Sequence, residues 1–247
     1  MVQYGFFFDQ SRCYGCQACA TACKDWNGIA PGPEKWMTVY EWEEGVFPNL
    51  RLYALAFSCA HCANPACMAA CEHGAIFKED KYGAVLVDSD KCVGCRKCKD
   101  ACPYGAPKFA SDDPAAKMGK CTMCIDKLEA GDKPQCALAC PMRALDFGPM
   151  TELVAKYGSL DRLAGMPDAG DIGPSMVYKP AGDKKRLIPY DEEKALALNA
   201  QREGLPNLFE EAGEVTCIPD GLVFKNGLRM SHADTAELMR LTANDLG

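Results

Sequence analysis

Hydrophobic and polar positions divide the chain into short segments rather than long periodic helices. Aromatic and β-branched runs bounded by turn-forming residues indicate strands, and two of these runs flank the turn at residues 80–83 and predict a hairpin. The predicted strands are Tyr4–Asp9, Met37–Glu43, Leu50–Phe57, Ala75–Lys78 and Ala84–Asp88.

Helices are predicted between these strands and again toward the C-terminus. The segments are Gln17–Trp26, Ala66–Cys71, a short helix from Ile125, Met150–Tyr157, Leu160–Ala164, Asp191–Arg202 and Ala233–Asn244. Ser111–Lys120 is predicted to be a polar linker, and Gly165–Pro189 an extended segment lying over another surface.

No apolar run approaches the roughly 18 residues of a membrane span. The N-terminus has neither a basic region nor a small-residue cleavage site, so no export signal is predicted. We therefore expect a cytoplasmic protein without a membrane span of its own, or one exported together with a signal-bearing partner.

The composition indicates that cysteine is the residue type that carries the chemistry of this protein. The chain has 247 residues, 17 of them cysteine and only 3 histidine, with a net charge of −7. An acidic chain is a poor match for nucleic acid, so no nucleic-acid partner is predicted.

Sixteen of the cysteines fall into four groups of four, each ending in C-x3-C. Groups one and three have the spacing C-x2-C-x2-C-x3-C, which is typical of bacterial [4Fe–4S] ferredoxins, and groups three and four continue with proline. The groups are Cys13, Cys16, Cys19 and Cys23; Cys59, Cys62, Cys67 and Cys71; Cys92, Cys95, Cys98 and Cys102; and Cys121, Cys124, Cys136 and Cys140.

Disulfides, zinc sites and inert buried thiols are the alternatives to iron–sulfur ligation. Zinc sites usually take cysteines as separated pairs, and disulfides give no reason for triplets at three-residue spacing. The pattern therefore favours iron–sulfur clusters, and all sixteen cysteines are predicted to bind iron.

In two-cluster ferredoxins the fourth cysteine of a group binds the other cluster. Applied to the nested order of the groups, this rule suggests that group one exchanges with group four and group two with group three. The resulting hypothesis is cluster A on Cys13, Cys16, Cys19 and Cys140; cluster B on Cys23, Cys121, Cys124 and Cys136; cluster C on Cys59, Cys62, Cys67 and Cys102; and cluster D on Cys71, Cys92, Cys95 and Cys98.

The remaining candidate residues are not interpreted as iron ligands. Cys217 is predicted to be a buried or incidental thiol, and His61 to make a hydrogen bond near a cluster rather than to bind iron. His73 and His232 are interpreted as surface residues. Cations in group three would favour a reduced, anionic cluster, with a solvated helix face as the alternative; they are Arg96, Lys97 and Lys99.

Several motifs resemble the four-cluster iron–sulfur subunits of the dimethyl sulfoxide reductase family of molybdenum enzymes, and within it the subunit of dimethyl sulfoxide reductase itself. The resemblance covers about residues 3–150, with a trailing match at Val177-x-Lys179-Pro180, and ends near residue 185. Glu72-His73 departs from the family, which usually has proline after this cysteine. The motifs are Tyr4-Gly5-Phe6-Phe7, Ser58-Cys59-x-His61-Cys62, Asn64-Pro65-Ala66-Cys67, Cys102-Pro103-Tyr104-Gly105-Ala106-Pro107 and Cys140-Pro141-x-Arg143-Ala144-Leu145-Asp146-Phe147-Gly148.

The resemblance implies an α+β fold of two ferredoxin-like units, one inserted in the other, holding four [4Fe–4S] clusters in a line. The first unit would comprise residues 1–37 and 103–150 with clusters A and B, and the inserted unit residues 38–102 with clusters C and D. Residues 151–247 would form an extended, partly helical C-terminal tail that docks on a partner.

The same resemblance implies a molybdopterin-containing catalytic subunit near clusters A and B, and a membrane anchor exchanging electrons with quinone near clusters C and D. The sequence shows no nucleotide-binding loop, nucleophile motif or paired carboxylates, so no catalytic site is predicted. The chain is expected to be the non-catalytic electron-transfer subunit of an oxidoreductase complex.

Three alternatives to this function stay open. The chain could be the equivalent subunit of a formate dehydrogenase or hydrogenase complex, although those usually carry a membrane helix after the cluster domain. It could be a free-standing soluble polyferredoxin, which a long tail disfavours. It could also be a structural zinc protein. The substrate of the partner and the direction of electron flow are not encoded in these motifs.

Overall fold

The computed structural model describes residues 2–45 and 51–182. Among these residues the chain divides into two compact units, one formed by residues 2–42 and 53–181, the other containing residues 43–45, 51–52 and 182. The predicted helices Asp191–Arg202 and Ala233–Asn244 lie outside the described residues, as do Cys217 and His232. Within the described ranges, no helix has the length and apolar character needed to cross a membrane.

The secondary structure is a succession of short elements. The strands are β1 (Tyr4–Asp9), β2 (Thr38–Glu44), β3 (Arg51–Phe57), β4 (Ile76–Lys78), β5 (Val85–Val87), β6 (Lys108–Phe109), β7 (Met118–Gly119), β8 (Leu145–Pro149) and β9 (Met176–Lys179). The helices are α1 (Ala18–Trp26), α2 (Ala66–Ala69), α3 (Lys97–Ala101), α4 (Ile125–Glu129), α5 (Gln135–Leu138) and α6 (Met150–Tyr157), with a 3₁₀ turn at Gly170–Ile172. Mixed short helices and small sheets agree with the predicted α+β class.

Strand β1 is the centre of the largest sheet, whose order is β8-β1-β9. It runs antiparallel to β8 and parallel to β9, with Phe6 opposite both Phe147 and Met176. Phe6 and Phe8 face the main hydrophobic core, whereas Phe7 faces α6 and stacks on Tyr157 at 3.6 Å between ring centroids. Both faces of β1 are therefore buried, which explains its uninterrupted aromatic run.

The other sheets are two-stranded pairs, β2–β3, β4–β5 and β6–β7. The last two pairs contribute to a separate small core, in which Ile76 and Val85 pack with Phe109, Met118 and the thiols Cys67 and Cys98. Two-stranded pairs are marginal on their own. These hairpins therefore depend on the cysteine-bearing segments against which they pack.

Several predicted boundaries are corrected by the structure. Helix α1 begins at Ala18, because Gln17 adopts a left-handed conformation with φ 59°. Leu160–Ala164 is not helical: Gly158 ends α6 at φ 92°, and the Leu160 carbonyl accepts a hydrogen bond from Tyr178 of β9 at 2.8 Å.

Three strand pairings were not predicted, among them the parallel pairing of β1 with β9. The supposed linker Ser111–Lys120 contains β7, which pairs antiparallel with β6. Strand β8 was also missed, although it supplies the main partner of β1. Two-residue strands show no alternation, so β6 and β7 leave no periodic signal in the sequence.

A glycine pair on the central sheet gives a test of the fold. Gly5 and Gly148 face each other across β1 and β8. A Cβ at Gly5 would collide with the Ser175 carbonyl oxygen and the Met150 sulfur, whereas a Cβ at Gly148 has nothing within 4 Å. Gly5→Ala should therefore lower the free energy of unfolding by about 1–3 kcal/mol, because backbone must shift.

The control is Gly148→Ala, which should be neutral or slightly stabilising since it restricts the unfolded chain. Anaerobic urea unfolding of both variants, followed by tryptophan fluorescence, measures the difference. Equal loss of stability in the two variants would contradict the packing described for β1.

Candidate metal centres

All sixteen grouped cysteines lie within the described residues and are free thiols. Twelve of them line three cavities, four to each. The first cavity is lined by Cys13, Cys16, Cys19 and Cys140; the second by Cys59, Cys62, Cys67 and Cys102; and the third by Cys71, Cys92, Cys95 and Cys98. We call these set A, set C and set D after the clusters for which they were predicted.

The other four cysteines form set B, which is recognised by electrostatic proximity. Burial raises the pKa of the Cys136 thiol well above its ordinary value, and the next contributions come from Cys121, Cys23 and Cys124. These are the partners that the sequence predicted for Cys136 in cluster B. The structure thus places the members of sets A, C and D around shared cavities, and those of set B within electrostatic range of Cys136.

Burial and neighbouring sulfur atoms act on the other sets in the same way. They raise the pKa of Cys19 and Cys62 to about 12 and that of Cys98 to about 11. For Cys98 the sulfur contributions come from Cys92, Cys95 and Cys71, the other members of set D. Crowded thiols with raised pKa values are uncharged at neutral pH, so binding of a metal group must release protons.

The loop between the first and second cysteine of each group has a shared backbone geometry. The residue before the second cysteine has positive φ in all four groups, at Gly15, His61, Gly94 and Met123. The N–H of His61 donates to Cys59 Sγ at 3.4 Å, that of Met123 to Cys121 Sγ at 3.4 Å, and that of Gly15 to Cys13. Backbone N–H groups curled around a sulfur favour an anionic ligand.

The C-x3-C end of each group is built on a helical turn. Cys19 and Cys23 both lie on α1, yet Cys19 belongs to set A and Cys23 to set B. Cys98 lies on α3 in set D, while Cys102 follows this helix and belongs to set C. Each helical turn therefore supplies one thiol to each of two neighbouring sets.

His61 is fully buried beside set C, and its exposed fraction is 0%. Its Nδ1 accepts a hydrogen bond from the Val85 N–H at 2.9 Å, so the neutral ring carries its proton on Nε2. Burial, reinforced by Lys120 and Lys78, holds the pKa of His61 well below its ordinary value. Nε2 has no hydrogen-bond partner among the residues that the structure describes, which leaves a buried donor available to an acceptor.

Lys120 was not singled out by the sequence, which placed it at the end of a polar linker. It is 1% exposed and lines the set C cavity. Its Nζ donates to Cys59 Sγ at 3.6 Å, to the Cys121 carbonyl at 3.0 Å and to the Val85 carbonyl. Only its position directly before Cys121 could have drawn attention to it.

The cations that the sequence did single out are engaged at the surface. The Arg96 guanidinium lies 4.4 Å from the Phe109 ring centroid and donates to the Ser111 carbonyl at 2.7 Å. Lys97 forms an exposed ion pair with Glu72 at 2.6 Å. His73 is exposed, as predicted, at the edge of the set D cavity. These contacts favour the solvated-face interpretation for Arg96 and Lys97.

The thiol sets fit a group larger than a single ion. A tetrahedral zinc site holds sulfur at about 2.3 Å from the metal, so the thiols of such a site would converge on one point. Within residues 2–45 and 51–182, no three Cys, His, Asp or Glu side chains converge on one metal-ion position. Four thiols around an apolar cavity, with N–H donors aimed at sulfur, suit a cysteine-ligated [4Fe–4S] cluster.

Comparison with known proteins agrees with this chemistry. Residues 50–150 match the family model described as a 4Fe-4S dicluster domain. Together with the thiol sets, this match defines the class of protein as an iron–sulfur electron-transfer protein. Within that class, the protein belongs to the family of the iron–sulfur subunits of anaerobic dimethyl sulfoxide reductase, as its similarity to known members shows.

Three relatives illustrate the range of the family. The iron–sulfur subunit of anaerobic dimethyl sulfoxide reductase from Escherichia coli (strain K12) is 44% identical over 192 residues, covering 74% of this chain and 92% of that protein. The corresponding subunit of sulfite dehydrogenase from Allochromatium vinosum is 40% identical over 240 residues, covering 87% of this chain and 98% of that protein. Hydrogenase-2 operon protein HybA of Escherichia coli O157:H7 is 31% identical over 208 residues, covering 75% of this chain and 63% of that protein.

The sulfite dehydrogenase relative is similar to this chain over a longer stretch than the predicted resemblance to dimethyl sulfoxide reductase subunits. The sequence indicated that the resemblance ends near residue 185. A match covering 87% of the 247 residues cannot fit within the first 185, so the similarity to this relative continues into the tail.

A second glycine pair tests the loop geometry at set D. Gly94 has φ +74°, and an added Cβ would lie 2.6 Å from the backbone carbonyls of Pro114 and Ala116. Gly94→Ala should cost roughly 1–2 kcal/mol for the left-handed conformation and about 1–3 kcal/mol for the collision. Because the loop carries Cys92 and Cys95, iron should be lost from set D first.

The matched control is Gly74→Ala, since Gly74 has φ +61° and nothing within 4 Å of an added Cβ. It carries the conformational cost without the collision. Iron content and electron paramagnetic resonance (EPR) spectra of both anaerobically purified variants distinguish the effects. Full iron retention in Gly94→Ala would show that the loop does not close against residues 114–116 as described.

Proposed function

We propose that the chain is the non-catalytic electron-transfer subunit of a molybdopterin oxidoreductase, with one [4Fe–4S] cluster bound by each of the four thiol sets. Under this proposal set A binds cluster A, and sets B, C and D bind clusters B, C and D. Bound clusters supply one-electron redox chemistry. The protein residues would hold them and donate hydrogen bonds to their sulfur ligands.

The observation that carries the proposal is that each set lies within electrostatic range of the next in one linear order. Cys136 of set B is influenced electrostatically by Cys19 of set A. Cys121 of set B is likewise influenced by Cys59 of set C, and Cys67 of set C by Cys98 of set D. Clusters bound in the order A–B–C–D would give an electron a route along the chain, as a connecting subunit requires.

The two-unit arrangement is proposed in a modified form. Pairing of β1 with β8 supports a first unit that joins the N-terminal residues to residues 103–150. Phe109 and Met118, however, pack in the small core with Cys67 and Cys98. This packing supports extending the inserted unit from residues 38–102 to about Gly119.

The partners are proposed from the relatives. Dimethyl sulfoxide reductase and sulfite dehydrogenase are named as enzymes of more than one polypeptide, and the matched protein is in each case one of these. We propose a molybdopterin-containing catalytic subunit as the partner near cluster A, and a quinone-linked membrane anchor or another redox partner near cluster D. The tail after residue 150 would help to dock these partners.

A second candidate function differs in the kind of complex to which the chain belongs. The match to the sulfite dehydrogenase subunit includes part of the tail and nearly all of that protein, whereas the match to the dimethyl sulfoxide reductase subunit covers 74% of this chain. Shared length beyond the cysteine region favours a complex of the sulfite dehydrogenase kind. Electrons would then leave the catalytic partner through this chain instead of entering it.

The cluster assignment is tested by replacing the same position in two groups. Cys95→Ser should perturb cluster D alone, and Cys16→Ser cluster A alone, because each removes one of four thiols from a single set. EPR spectra of dithionite-reduced protein should show one altered signal in each variant, and the altered signal should differ between the two variants. An unchanged cluster D signal together with a changed cluster A signal in Cys95→Ser would show the assignment to be wrong.

The partner is tested by purifying the tagged chain anaerobically from its own cells. A large subunit containing molybdenum and pterin should co-purify. The complex should reduce dimethyl sulfoxide with a reduced viologen, or oxidise sulfite with an artificial electron acceptor. Purification of the chain alone, with clusters intact, would instead support a free-standing polyferredoxin.

A further inference from the structure

Lys120 is the buried cation at the junction of the two halves of the proposed cluster chain. It precedes Cys121 of set B, and its Nζ contacts Cys59 Sγ of set C at 3.6 Å. Its other two contacts are the carbonyls of Cys121 and Val85. One side chain thus reaches from the backbone of one set to a thiol of the next.

Each N–H donor of the Lys120 side chain has an acceptor. An ammonium group has three N–H donors and no acceptor. Two carbonyl oxygens and one sulfur present three acceptors, so each donor has one partner. Burying a cation is costly unless it is paired, and the thiolate ligands of clusters bound at sets B and C would supply the negative charge.

The electrostatic influence of Lys120 reaches both sets. Burial raises the pKa values of Cys67 and Cys121, and in both cases Lys120 opposes that rise. Lys120 also contributes, after burial, to lowering the pKa of His61. A charge that stabilises thiolates of both sets also stabilises any further negative charge placed there.

We propose that Lys120 is a fixed positive charge that raises the reduction potentials of clusters B and C together and makes the middle of the cluster series favourable for the transferred electron. Each electron adds one negative charge to a group that four thiolates already make anionic. A nearby buried cation stabilises the reduced form more than the oxidised form. This inference rests on the proposed function, since it assumes clusters at sets B and C.

The exposed lysines lack this effect. Lys97 lies near set D, but its side chain is 51% exposed and paired with Glu72. Charges in contact with water are screened, whereas a buried charge acts through a low dielectric. The same loss of one positive charge should therefore matter at residue 120 and not at residue 97.

The test is a potentiometric titration, monitored by EPR, of the anaerobically purified complex and its variants. Lys120→Met removes the charge, and Lys120→Gln removes it while keeping N–H donors for the two carbonyls. In both variants the equilibrium constant for reduction of clusters B and C should fall at least tenfold. This corresponds to a reduction potential lower by about 59 mV or more for a one-electron step. Lys120→Arg should keep most of the wild-type potential.

Lys97→Met is the matched control, and it should leave the potential of its neighbour, cluster D, unchanged together with those of clusters B and C. Wild-type potentials for B and C in Lys120→Gln would overturn the proposal, as would loss of both clusters in the two neutral variants, because Lys120 would then be a structural residue. Failure of the proposed function is recognised separately, since the wild-type protein would then show no signals from four clusters.

Discussion

The spacing of two thiols by one helical turn is the constraint on which the rest of the structure depends. Residues four apart lie on the same helix face, displaced by roughly 6 Å along the axis. The thiols of Cys19 and Cys23 on α1 therefore belong to two different sets. Every C-x3-C ending repeats this division, so each set is completed by a residue from another group.

This exchange accounts for the long-range architecture. Sets A and B each combine thiols from the first and fourth groups, and strands β1 and β8 pair beside them. Sets C and D combine the second and third groups, and two short hairpins pack around them. The core itself contains buried cysteines, so cluster binding and folding are expected to be coupled.

The balance of charge follows from the same burial. Buried, crowded thiols have raised pKa values and favour the protonated form in the absence of iron. Holding them as thiolates needs compensation, and the fold supplies it through left-handed loops that aim N–H groups at sulfur and through Lys120. Lys120 adds a buried cation that contacts Cys59 of set C and the Cys121 carbonyl of set B.

The sequence predicted those features of the fold and the site that depend on residue type and on the spacing between residues. Strand β1 and the grouping of the sixteen cysteines follow from residue type and interval, and the assignment of these cysteines to four clusters stays a prediction. The sequence missed features that depend on tertiary contact. In the sequence Lys120 looks like an ordinary lysine of a linker, and only the folded structure places it against Val85 and Cys59. Strands β6 and β7 are too short to show an alternating pattern. The supposed helix at Leu160–Ala164 had suitable residues, but its backbone bonds to β9 instead.

Replacement of Cys102 by serine tests the exchange of thiols most directly, because Cys102 belongs to group three by sequence and lines the set C cavity in the structure. EPR of the reduced variant should show loss or conversion of cluster C while cluster D keeps its wild-type signal. Loss of cluster D with cluster C intact would mean that each group binds its own cluster, and the exchange of thiols between groups would be wrong.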